Sequence, residues 1–317
     1  MQPSSPAGYV SLREDAAWLD LSARGRIAAR GEDRARLLHA MSTNLVEGLQ
    51  PGEGCYAFFL NAQGRILCDA NLLCAVDHFL LDTEPETAAS LAAHLDKHII
   101  ADDVTLEDAR GRTCAIGIEG PRAAQVLAGL GAPAPQAALS HQGWGSRVVA
   151  ALSATGQPGF RILAPAGEKD DLIGELESAR AAPASPEAVH IVRLENGKPR
   201  YGEDITDANL VQETQVSSAL HFSKGCYLGQ EIVERVRARG HVNRLLVRLA
   251  IEASAPPATG AVLLSGATAV GAITSAAFSP ALNHVVALGY VRADCAATLT
   301  ALTVDGCAAR VTASRPG

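Results

Sequence analysis

Nowhere in the 317 residues does an apolar run reach eighteen positions without a charge or a turn former, so no membrane-crossing helix is expected. The amino-terminal MQPSSPAGYV lacks the basic and then apolar segments of a secretory signal, and a cytoplasmic protein is expected. The seven cysteines, Cys55, Cys68, Cys74, Cys114, Cys226, Cys295 and Cys307, include no C-x-x-C, which speaks against a disulfide framework or a metal site. Most are expected as small buried hydrophobes. G-x-x-x-x-G-K-[ST], G-x-G-x-x-G after a strand, H-E-x-x-H and G-x-S-x-G are all missing, so nucleotide hydrolysis, Rossmann redox chemistry, zincin proteolysis and serine esterase activity lose support. Positive charge is in deficit: 27 Lys and Arg against 34 Asp and Glu give a net −7. A general binder of nucleic acid or membrane is therefore not expected, and any anion must meet a local basic patch.

With 48% hydrophobic residues the chain has enough apolar surface for two or more cores. From Gly25 the periodicities read strand (GRIAA), helix (EDRARLLHAM), strand (CYAFFL), turn (NAQG), strand (RILCDANLLCAV), helix (ETAASLAAHLDKHII) and strand (VTLED), a β-α-β-β-α-β order. The order returns in TCAIGI, PRAAQVLAGL, RVVAAL, FRILA, EKDDLIGELESARAA and AVHIVRL. Two tandem ferredoxin-like units, residues 1–110 and 111–242, are expected in an α+β fold. From residue 243 short alternating runs divided by Gly, Pro, Asn and Asp, with Asp305-Gly306 as a hairpin turn, predict a small β-barrel.

Three stretches carry candidate chemistry. In HFSKGCYLGQEIVERVRARGHVNR, a helix is predicted over Leu228 to Ala238, placing Cys226 at or just before its first turn beside Lys224. A helix start and a neighbouring ammonium both favour a thiolate. The alternative is a small buried residue beside a structural glycine. Between Lys224 and Arg248 one lysine and five arginines face Glu231 and Glu234, a local +4 suited to carboxylates or phosphates. RLENGKPRYGEDI reads as a polar loop in which Glu195 could accept two parallel N–H donors from a guanine- or pterin-like edge. In RILCDANLL the side chains of Arg65, Leu67, Asp69 and Asn71 fall on one face of a strand. An aspartate there is either a solvent-facing polar residue or a functional one.

KGCYLGQE, Lys224 to Glu231, resembles the K-G-C-[FY]-x-G-Q-E signature of the YgfZ family of folate-binding proteins linked to iron-sulfur cluster assembly. RIAARGEDRARLLHAMSTN, YAFFLNAQGRILCD, RLENGKPRYGEDI and GAITSAAFSPALNHVVALGYVR resemble successive blocks of the wider group that includes the aminomethyltransferase of glycine cleavage. The resemblance implies ferredoxin-like units around a central folate cavity with a carboxy-terminal barrel. It implies tetrahydrofolate or a derivative as cofactor, with Glu195 at the pterin, Tyr201 nearby, Asp69 and Asn71 on the strand facing the folate, and Cys226 as the characteristic thiol. Arg193, Lys224, Gln230 and Glu231 in the matched segments join the cofactor-binding candidates, and Arg235 or Arg237 is assigned by charge to the glutamate tail. The implied partners are folate, iron-sulfur client or assembly proteins and, indirectly, tRNA-modifying enzymes. The implied function is an accessory factor using Cys226, with a folate-dependent aminomethyltransferase using Asp69 as the alternative. In the aminomethyltransferases a pair of acids stands where this chain has Cys68-Asp69, which puts that reaction in question.

Overall fold

The computed structural model describes residues 5–313. After a short helix α1 (Tyr9–Glu14) and strand β1 (Ala17–Asp20) come β2 (Gly25–Arg30), α2 (Arg34–Met41), β3 (Gly54–Leu60), β4 (Ile66–Cys74), β5 (His78–Thr83), α3 (Ala88–Asp96) and β6 (Thr105–Asp108). The last five strands form an antiparallel sheet in the order β3-β4-β5-β2-β6. Strand β5 is one more than the sequence pattern predicts. Its connection to β4, Ala75-Val76-Asp77, carries no Gly, Pro or Asn to mark a turn, and a hydrogen bond from Ala75 N to His78 O closes it.

The second sheet uses β7 (Thr113–Glu119), β8 (His141–Trp144), β9 (Arg147–Ala150), β10 (Gly159–Pro165) and β11 (Ala182–Pro183), with helices α4 (Ala123–Gly129) and α5 (Lys169–Ser178). Its order, β11-β1-β7-β10-β9-β8, contains a correction. The place beside β7 goes to β1, from the amino-terminal segment assigned by sequence to the first unit. AVHIVRL, predicted as the closing strand, lies in helix α6 (Pro186–Glu195). Its β-branched residues read as a strand, but Ser185 accepts a cap bond from Ala188 N and Pro186 occupies the first turn. Ala188, Ile191, Val192 and Glu195 then recur at helical spacing on the buried side.

Two further helices, α7 (Val211–Thr214) and α8 (Gln230–Arg239), lead to a closed barrel. Its strands are β12 (Arg244–Ile251), β13 (Val262–Ser265), β14 (Thr268–Ser279), β15 (His284–Arg292), β16 (Ala301–Val304) and β17 (Cys307–Ala313), ordered β12-β15-β14-β13-β16-β17. Each sheet packs a separate core against its helices, and the barrel fills its own interior. A fourth core joins them: Leu12 of α1, Leu19 of β1 and Ile191 of α6 bury against Leu246 and Leu288 on the outside of the barrel. Each such side chain contributes roughly 1.5–3 kcal/mol, so the barrel is fixed to the body through α1 and α6. No helix among the described residues is long and apolar enough to cross a membrane.

Candidate functional site

The two sheets meet over a cavity of about 1200 Å³. One wall comes from the loop after β1, from β3 and from β4; the facing wall comes from residues 135–139 and 151–161. Lys198 to Arg200 and Gln215 to Ser218 complete it, and no barrel residue takes part. That is large enough for a drug-sized ligand, since such pockets run to about 300–1000 Å³.

Strand β4 sets its chemistry. Cys68, Ala70 and Leu72 enter the core of the first sheet, so the pleat turns Asp69 and Asn71 to the cavity. Asp69 is only 8% exposed and accepts a hydrogen bond from the Tyr56 hydroxyl of β3 at 2.6 Å. Burial pushes its carboxyl up to about 6, the Tyr56 bond works against the rise, and the charges of Glu84 and Asp82 add to it. Burial also holds the Tyr56 phenol well above its usual range, so Tyr56 stays a donor.

Beneath Asn71 lies a buried charge cluster. Asp82 of β5 accepts from Arg24 Nε at 3.0 Å, from Asn71 Nδ2 at 3.0 Å and from Arg161 Nη1 of β10. Burial alone would raise the Asp82 carboxyl, but the Arg161 and Arg24 guanidinia hold it below the usual carboxylate range. Arg24 continues to Glu84, which Arg200 Nε reaches at 2.9 Å; Arg200 also pairs with Glu86 and Glu203. Arg193, at the cavity edge, is neutralised by Asp204 at 2.7 Å and by Glu203. Sequence reading missed Tyr56, Arg24, Asp82, Glu84 and Arg161. Asp82 in HFLLDT and Arg161 in GFRILAP are each a lone charge inside an apolar run, and opposite signs on two such strands were the available signal.

Of the predicted residues, Asp69, Asn71 and Arg193 reach the cavity. Glu195 does not: on the buried side of α6 it accepts from Tyr9 Oη at 2.5 Å, from Ser279 Oγ of the barrel at 2.5 Å, and from Arg13. Its backbone carbonyl takes Arg248, whose side chain crosses Gly197 so closely that a Cβ there would sit 2.2 Å from Arg248 Cδ. Tyr201 lies behind β4, donating to Leu67 O at 2.5 Å. Lys224 is buried under the Tyr227 ring and donates to His39 O and Ser42 O at the end of α2, the latter at 2.5 Å. Burial pulls its ammonium down to about 8. Helix α8 starts at Gln230, two residues later than predicted, so Cys226 sits in the preceding loop, exposed, outside the cavity and off the first turn. Gln230, Glu231, Arg235 and Arg237 stay off the cavity wall, and the two arginines pair with Glu231 and Glu234 on the helix surface. The arginine run is thus divided: Arg244 goes to Glu213 and Arg248 to the Glu195 carbonyl.

Comparison with known sequences matches residues 1–224 to the GCVT N-terminal domain and 244–315 to the glycine cleavage T-protein C-terminal barrel domain. The chain belongs to the glycine cleavage T-protein family. It is 29% identical to the aminomethyltransferase of Rubrobacter xylanophilus over 292 residues, 90% of this chain and 78% of that one. Against an aminomethyltransferase of Thermus thermophilus the figures are 28% over 290 residues, 89% and 81%. The solved glycine cleavage system aminomethyltransferase T from Bartonella henselae superposes with a TM-score of 0.89 at 24% identity, covering 97% of this chain and 89% of that one. This likeness shows the fold. Of the adjacent Cys68 and Asp69, Cys68 packs in the core, where burial pushes its thiol well up, and Asp69 is the one that reaches the cavity.

Proposed function

We propose that the chain is a cytoplasmic, tetrahydrofolate-dependent one-carbon transferase of the aminomethyltransferase kind, with Asp69 as its working carboxyl. The observation that carries the reading is Asp69 itself: buried, on the cavity wall, oriented by Tyr56, and with its carboxyl raised to about 6. A carboxyl with that value can hold or release a proton near neutrality, and its anion can stabilise a nearby cation. The names of the relatives favour this reading over the accessory role.

The residues present fit a folate. The wall carries apolar Leu21, Phe160 and Val189 together with Asn71, whose amide suits the donor and acceptor edge of a pterin and leaves Asp69 to the reacting amine. Arg200, whose side chain is 30% exposed at the cavity wall, could meet a tail carboxylate by exchanging one of its three carboxylate partners, Glu84, Glu86 and Glu203. Glu195, turned into the contact between α6 and the barrel, is not assigned to the pterin. Tetrahydrofolate, when bound, supplies the secondary amine that accepts a one-carbon unit. The chain's own part is to exclude water with the two sheets, to fix Asp69 through Tyr56, and to place a proton or a negative charge at Asp69 Oδ1 and Oδ2.

Calorimetry with tetrahydrofolate under anaerobic reducing conditions, followed by turnover of a methylamine-type donor, tests this. Wild type binds and turns over, and Asp69→Asn loses turnover by roughly 10²–10⁴ while still binding. Failure of wild type to bind would remove the proposal.

One observation favours a second reading. Cys226, in the segment that resembles the YgfZ signature, is exposed and outside the cavity. That arrangement suits a folate-binding factor in assembly or repair of iron-sulfur proteins, with a link to tRNA modification, in which the thiol acts separately from folate. Folate binding without turnover, together with loss of client iron-sulfur activity on Cys226→Ala, would favour it.

A further inference from the structure

Lys198 is the cavity group that the reading above leaves unused. The chain has four lysines among its 27 basic residues, Lys97, Lys169, Lys198 and Lys224. Among the described residues Lys198 is the one at the cavity wall. It is half-buried, and its Nζ donates to Ser153 O at 2.6 Å. No carboxylate among the described residues pairs with it. Glu119, close enough to be felt, already accepts from Ser153 Oγ, Ala154 N, Thr155 N and Thr155 Oγ1. Burial, and then the nearby charges of Arg161 and Arg24, hold the amine below its usual range. Arg161 gives Nη1 to Asp82 and leaves Nε without a partner. Asp69 shares the cavity wall and acts on Lys198 electrostatically.

The buried ion pairs around the cavity are all made by arginine: Arg24, Arg161 and Arg193. A position that needed only fixed charge would be served equally by arginine, which keeps its proton; burial makes a lysine easier to deprotonate, and the amine that has lost its proton is a nucleophile. An amine without an acid partner, facing the same cavity as a carboxyl that exchanges its proton near neutrality, is the pair that addition to a carbonyl requires.

We propose that Lys198 forms an imine with a small aldehyde at the oxidation level of formaldehyde, with Asp69 as proton donor. This rests on reading the cavity as a one-carbon site and names the form in which a one-carbon unit enters it. Once deprotonated, Nζ uses its lone pair to form a C–N bond to the carbonyl carbon, and the oxygen takes the π pair and the Asp69 proton. The surplus proton on nitrogen returns to Asp69, which then protonates the hydroxyl. Water leaves with its bonding pair, the nitrogen lone pair closes the C=N bond, and Lys198 holds the methylene as a protonated imine. Nothing is oxidised or reduced.

The test uses the full chain without folate, treated with dilute formaldehyde and cyanoborohydride at pH 6.5, roughly where Asp69 exchanges its proton, with methylation of each lysine followed by peptide mass spectrometry. Exposure alone favours the exposed Lys97 over Lys198. The proposal expects Lys198 to be methylated at least about tenfold faster than Lys97 and Lys169, and Asp69→Asn to slow it by about tenfold or more. Removing the Asp69 charge would, by basicity alone, free the amine and speed labelling, so the sign of that change separates proton donation from mere deprotonation. Lys198 labelling no faster than Lys97, or labelling unchanged or faster in Asp69→Asn, would overturn the proposal. Because folate is absent, failure here stays distinct from failure of folate binding in the calorimetry.

Discussion

Asp69 is held at an energetic cost. Its carboxyl stands at about 6 rather than 3.8, burial being the main cause. Between those values the folded chain binds a proton more readily than the unfolded one, so stability falls as pH rises through the interval and the penalty is complete above it. The size is on the order of 1–3 kcal/mol, at about 1.4 kcal/mol for each pH unit of displacement. Asp69→Asn keeps the Tyr56 donor satisfied, so urea unfolding at pH 8 is expected to show the variant more stable by that amount, with the difference gone at pH 3.5. Equal stability at pH 8 would mean that the carboxyl carries no strain. Tyr56→Phe removes the one bond that favours the Asp69 anion, and it should move any pH-rate profile governed by Asp69 to higher pH.

Helix α6 shows how a residue picked for a ligand serves the fold. Glu195 gathers Tyr9 and Arg13 from α1 and Ser279 from the barrel. Removing one partner of a buried pair costs about 3–5 kcal/mol, because the other is left uncompensated. Glu195→Ala should therefore lower stability by that order in chemical denaturation, while the folded fraction binds folate with unchanged affinity. A selective loss of affinity at full stability would return Glu195 to the pterin. At the other end of α6, Ser185→Ala should cost about 1 kcal/mol through loss of its cap. Elements whose period and punctuation agree were legible from sequence: the β3–β4 hairpin, α3 and the alternating barrel strands. Strand β5 and helix α6 were not, the first because its connection carries no Gly, Pro or Asn and the second because β-branched residues outweighed a proline and a serine cap. In the site, the pleat placed Asp69 and Asn71 on one face of the strand, and it was the family resemblance that turned that face toward the folate. The cluster of Asp82 with Arg161 was not, because its members stand 79 positions apart and meet only when the two sheets pack.

That cluster makes the cavity a property of the whole molecule. Asp82 on the first sheet and Arg161 on the second pair across the cavity floor, while the barrel contributes packing through α1 and α6 and no cavity wall. A ligand in the cavity must stabilise both sheets at once, by about 2.7 kcal/mol at a hundredfold excess over its dissociation constant. The barrel should gain only what global unfolding shares, because its local openings break no ligand contact. Hydrogen exchange with and without tetrahydrofolate is expected to show slowed exchange in β3 and β4, in residues 151–161 and in residues 215–218. Amides of β13, β16 and β17 that exchange by local opening should keep their rates. Protection spreading into those strands would place part of the ligand against the barrel; protection confined to one sheet would mean that the cavity is not filled from both sides.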